Sequence, residues 1–71
     1  MVIKISTEYI KLGQFLKFSG IIVNGGEAKD LLENGLVFVN NQVEIARGKK
    51  LYPGDKVFFD GVEYIIEGQI W

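Results

Sequence analysis

The sequence predicts an α+β domain in which two short helices pack on a small, curled antiparallel sheet. Apolar periodicity is the first sign. Leu12, Phe15, Leu16 and Ser19, and again Ala28, Leu31, Leu32 and Gly35, recur at the i, i+3, i+4, i+7 spacing that gathers residues on one face of a helix. After Gly35 the period drops to two. Asn40-Asn41 and Asp60-Gly61 then separate alternating apolar segments, where a two-residue hairpin turn needs residues that tolerate positive φ.

Taken in order, Val2 to Ser6 reads as a first strand, and a second extended piece includes Tyr9 and Ile10. Helical spacing begins near Leu12, with Gln14 and Lys17 off the apolar face, Lys11 beside the start and Gly20 as the stop. Ile21, Ile22 and Val23 form an apolar connection expected to tuck under both helices. Asn24 to Glu27 reads as a capping box, in which the Asn24 side chain accepts from an amide of the first turn and Glu27 reaches back. Gly25 and Gly26 each weaken that helix by roughly 1 kcal/mol relative to alanine. Either a tight turn or the close approach of a ligand's backbone would account for them.

On the second helix Lys29, Asp30 and Glu33 lie opposite the apolar side, and Asn34-Gly35 is a left-handed stop. Val37 and Val39 alternate with Phe38, and Val43 and Ile45 alternate on the return. Arg47-Gly48-Lys49-Lys50 interrupts this pattern. Tyr52-Pro53-Gly54-Asp55 is a turn, and Lys56 to Phe59 with Val62 to Ile66 makes the second hairpin. Phe15, Phe58 and Phe59 fit core or sheet positions, Phe18 and Tyr52 are open to other use, and Trp71 is expected to anchor the last strand.

At 71 residues the chain reads as one domain spanning 1–71. A chain of this size buries about 60% of its unfolded surface, which leaves little room for a deep cleft. Apolar residues at 48% are still enough for a core. Cysteine and histidine are both absent, which removes thiolate chemistry, the usual zinc ligands and the commonest general base. The nine carboxylates are scattered, so no catalytic residue, metal or cofactor is expected. Apolar runs such as Gly20 to Val23 are far too short to cross a bilayer. The N-terminus lacks the pattern of a signal peptide, so a cytoplasmic location is expected. With a net charge of −1, affinity for nucleic acid would have to come from a local positive patch.

The order of these elements resembles the S-four RNA-binding domain, also called the alpha-L motif. The resemblance rests on Leu12, Phe15 and Leu16; Ala28, Leu31 and Leu32; Gly35; Val37, Val39 and Asn40; and Gly54 with Asp55, with a core motif of about 11–57. It looks closest to short stand-alone bacterial members, through Gly25, Gly26, Ala28 and Lys29 and through Arg47, Gly48 and Lys50. Many members carry Ser-Arg where this chain has Asn24 and Gly25. The cap survives that difference, but a guanidinium contact to phosphate does not.

The resemblance implies a non-catalytic protein that recognises structured RNA, ribosomal RNA above all, in ribosome assembly or RNA quality control. Its RNA-binding face would draw on Lys11, Lys17 and Lys29 from the helices, on Gly25 and Gly26, and on the dense cluster Arg47, Lys49 and Lys50. The expected partner is RNA or a ribosomal subunit bound by a monomer, with no membrane and no small-molecule substrate. A different class of function remains open, a protein-interaction module that uses an exposed sheet edge near Val62 to Ile66.

Overall fold

The computed structural model describes residues 1–68. Its elements run β1 (Val2–Ile5), β2 (Ile10–Lys11), α1 (Leu12–Phe18), α2 (Gly25–Glu33), β3 (Val37–Val39), β4 (Gln42–Val43), β5 (Lys50–Leu51), β6 (Lys56–Phe59) and β7 (Val62–Gly68). The expectation for Trp71 lies outside the described residues.

Five strands form one sheet in the order β1-β7-β6-β3-β4, and β2 with β5 forms a separate two-stranded ribbon. The sheet is mixed, where the sequence suggested a purely antiparallel one. β1 lies parallel to β7, with Val2 opposite Ile65 and Ile5 opposite Gly68, while the other pairings are antiparallel. Alternation within Val2 to Ile5 marks the buried face but carries no information about direction, and the partner strand arrives from the far end of the sequence.

This pairing also corrects the expectation of an exposed edge near Val62 to Ile66. β7 is an interior strand. β6 pairs with it from Val62 to Ile65 on one side. On the other side the Met1 ammonium donates to the Glu63 carbonyl at 2.7 Å and the Ile65 N–H donates to the Met1 carbonyl at 2.8 Å. No row of unpaired backbone groups is left there to receive a partner strand.

The core lies between the helices and the inner face of the sheet. Leu12, Phe15 and Leu16 of α1, Ala28 and Leu32 of α2, and Ile22 between them pack with Val37, Val39, Val57, Tyr64 and Ile66. The Phe15 ring meets the Tyr64 ring edge to face at 5.5 Å. Truncating Phe15 would cost about 3–5 kcal/mol, a large part of a small domain's stability. Of the apolar connection only part tucks under the helices: Ile22 is buried and Ile21 half-buried, whereas Val23 is 84% exposed. Ending α1 at a left-handed Gly20, φ +83°, allows Ile22 to turn inward while Val23 swings out to the N-cap of α2.

The turns form where the residues favour them. Asn40 and Asn41 both have positive φ, as do Asp60 and Gly61, the type I′ pattern that matches strand twist. In the Tyr52 to Asp55 turn, the Asp55 N–H donates to the Tyr52 carbonyl at 2.9 Å and Gly54 has φ +99°. The Asp55 carboxylate then accepts from the Tyr52 N–H at 2.8 Å and from Asn40 Nδ2 at 3.2 Å, and Asn40 Oδ1 accepts from the Lys56 N–H at 3.0 Å. One pair of side chains therefore ties both turns to the start of β6.

The return strand of the first hairpin is brief. β4 holds two residues, and Val43 and Ile45 are 51% and 66% exposed, so their alternation does not bury a face. The Glu44 N–H makes one more bond, to the Val37 carbonyl at 3.0 Å, and the chain then leaves the sheet to reach α1.

Candidate nucleic-acid interface

Lys11, the N-cap of α1, has no side-chain acceptor for the free N–H groups of the first turn. Backbone from the loop after β4 supplies what is missing. The Leu12 N–H donates to the Lys49 carbonyl at 2.8 Å, and the Gly13 N–H donates to the Arg47 carbonyl at 2.9 Å. Gln14 Oε1 accepts from the Lys11 N–H at 3.2 Å. A Cβ on Gly13 would stand 3.4 Å from both the Cβ and the carbonyl oxygen of Arg47. The basic loop is thus seated on the start of α1, close enough that a side chain at position 13 would touch it.

This docking closes an open concavity of about 380 Å³ lined by Lys11, Gly13, Gln14 and Lys17 of α1, Gly25 and Ala28 of α2, and Arg47 and Gly48 of the loop. Three cations face it, and no carboxylate lines it. Like charges so gathered repel one another by an amount that an incoming polyanion relieves.

The structure brings Lys11, Lys17, Gly25 and Arg47 to this one surface and distributes the other singled-out residues around it. Lys29 lines an adjoining depression with Leu32, Glu33, Ile45 and Arg47, so Arg47 is the wall between the two. Lys49 is exposed, with its carbonyl fixed on α1. Lys50 leans the other way, its Nζ 4.8 Å from the centre of the Tyr9 ring. Lys56 stands apart on β6, whereas Lys4 on β1 lines a further depression with Thr7, Ile10 and Phe18.

Nothing lies within 4 Å of a Cβ built on Gly25, and one on Gly26 would meet only Asn24 Oδ1, at 3.4 Å. A tight turn therefore does not require a glycine at position 25. Of the capping box the Glu27 arm forms, whereas the Asn24 side chain makes no cap hydrogen bond and the Glu27 N–H donates to the Asn24 carbonyl at 3.2 Å. The Glu27 side chain accepts from the Asn24 N–H at 3.2 Å and from the Val23 N–H at 3.1 Å. That carboxylate occupies the place an anion would take at this helix end.

Gly13, Gln14, Ala28 and Gly48 line the concavity without having been among the RNA-binding residues expected from the sequence. Gly13 carried a signal, a costly glycine in the first turn of a helix. Among the aromatics, Phe18 is 64% exposed and Tyr52 43%, and Phe58 stands on the outer face of the sheet beside Phe38. Among the described residues no three His, Cys, Asp or Glu side chains are grouped to hold a metal ion, and no helix is long and apolar enough to cross a membrane.

Two short helices and a docked basic loop beside a small sheet place the chain in a known class. It belongs to the S4 domain family, whose sequence model matches residues 3–67. Over 59 residues, 83% of either chain, it is 49% identical to a protein of Bacillus subtilis (strain 168) described as "Probable ribosome maturation protein RlbA".

Proposed function

We propose that this protein is a non-catalytic RNA-binding module that recognises folded ribosomal RNA by shape and acts in ribosome assembly or RNA quality control. One observation carries the reading: Lys11, Lys17 and Arg47 converge from separate segments on a concavity without a carboxylate, in a chain of net charge −1. Such local concentration of positive charge matches the phosphates of a folded backbone. Lys29, Lys49 and Lys50 extend the surface on either side. Membership of the S4 domain family and the printed description of the Bacillus relative support the same reading. All the segments come from one chain, so a monomer suffices, and the proposed place of action is the cytoplasm.

The test is a binding titration of ribosomal RNA transcripts at several salt concentrations, with an unstructured homopolymer as competitor. Neutralising three to six phosphates predicts that log K falls against log salt with a slope of about −2 to −5. The structured RNA should also win the competition. Affinity that ignores salt, or a homopolymer that competes equally, would contradict the proposal.

A further inference from the structure

A second groove opens on the other side of Lys11 and Gln14. Thr7, Glu8, Tyr9 and Ile10 form one wall, and Lys11, Gln14 and Phe18 the other, around a space of about 580 Å³. Lys11 and Gln14 also line the cationic concavity, so the two spaces share a wall. Residues 11, 14 and 18 follow i, i+3, i+7 spacing, which aligns them along one side of α1. Phe18 is 64% exposed at the end of that helix and takes no part in the core. The opposite wall is held in place: Thr7 Oγ1 donates to the Tyr9 carbonyl at 2.8 Å, and the Tyr9 ring packs 5.7 Å from Tyr52 and beneath Lys50.

We infer that this groove is a subsite for a single unpaired nucleobase, extruded from the folded RNA whose phosphates lie in the adjoining concavity. The inference rests on the proposed RNA-binding role. Its chemistry separates the two spaces. The exposed ring of Phe18 offers a stacking surface that every base can use. Glu8 disfavours a phosphate there and accepts hydrogen bonds from the amino group of a base, and Thr7 and Gln14 supply further polar contacts to a base edge. Lys11 on the shared wall is placed to hold the phosphate that joins the extruded nucleotide to the helix beside it.

The experiment compares an RNA hairpin whose stem is fully paired and closed by a non-nucleotide linker with four such hairpins whose stems each carry one unpaired A, G, C or U, using the full chain and its Phe18→Ala and Lys17→Ala variants. At least one unpaired base should bind roughly fivefold or more tightly than the paired hairpin, the lower end of what one stack contributes. Phe18→Ala should abolish that advantage and leave the affinity for the paired hairpin and thermal unfolding unchanged. Lys17→Ala should weaken all five RNAs alike. If the intact protein binds every hairpin with the same salt-dependent affinity, or if Phe18→Ala weakens paired and unpaired RNA equally, the subsite is refuted and RNA binding stands. If no hairpin and no ribosomal transcript binds, the RNA-binding role fails and the subsite with it.

Discussion

Gly25→Arg probes the interface where this chain departs from the pattern of its family. Position 25 is the first residue of α2 and lines the concavity, and a Cβ there meets nothing within 4 Å. Replacing glycine by arginine in a helix gains about 0.7 kcal/mol in propensity, and a cation at a helix N-terminus loses about 0.3–1 kcal/mol. These effects nearly cancel, so the unfolding temperature should move by no more than a few degrees. On the RNA side, a new charge-assisted hydrogen bond contributes about 1.5–3 kcal/mol, of which ordering the arginine side chain removes about 0.5–1.5 kcal/mol. A net gain near 1 kcal/mol is roughly fivefold in affinity, and the salt slope should steepen by about 0.7–0.9 for one added phosphate. Titrations of ribosomal RNA at three salt concentrations, with thermal unfolding alongside, measure both quantities. A folded variant that binds more weakly would refute the reasoning and put RNA backbone against the Gly25 and Gly26 amides. An unchanged affinity would put the RNA on another surface.

Other substitutions test how the site is held. Gly13→Ala places a methyl at 3.4 Å from Arg47, ordinary contact, and should leave RNA affinity intact. Gly13→Val adds two methyls that reach into the loop, and it should weaken the N–H bond to the Arg47 carbonyl and lower RNA affinity several-fold, as binding titrations would register. Asn40→Ala removes hydrogen bonds of 3.0 and 3.2 Å and leaves alanine at φ +50°. The combined cost is about 2–3 kcal/mol, an unfolding temperature lower by roughly 8–24 °C. Asn40→Gly should recover the backbone share of that loss in the same calorimetric scan.

The helices were legible because their apolar spacing and glycine stops are local. Both hairpins were legible for the same reason, since Asn40-Asn41 and Asp60-Gly61 announce positive φ. The partner of β1 was not. Its pairing with β7 joins residues more than sixty positions apart, and alternation in either strand fits parallel and antiparallel registers equally well. The cationic side chains could be named from sequence, but their convergence could not. It depends on the carbonyls of Arg47 and Lys49 capping α1, and a backbone carbonyl has no signature in residue type. For Lys50 the sequence showed a charge in a cluster, and the structure turns it toward Tyr9 instead of the concavity.

The most direct test of the interface is the combined replacement of Arg47, Lys49 and Lys50 by alanine, read by RNA titration and thermal unfolding together. The main-chain carbonyls that hold the loop on α1 survive this change, so the unfolding temperature should stay nearly constant. RNA affinity should fall at least tenfold, about 1.4 kcal/mol, while alanine at Lys56, which lies on β6, should reduce it far less. Unchanged affinity, a loss matched by the sheet control, or a loss that simply follows lowered stability would contradict the account.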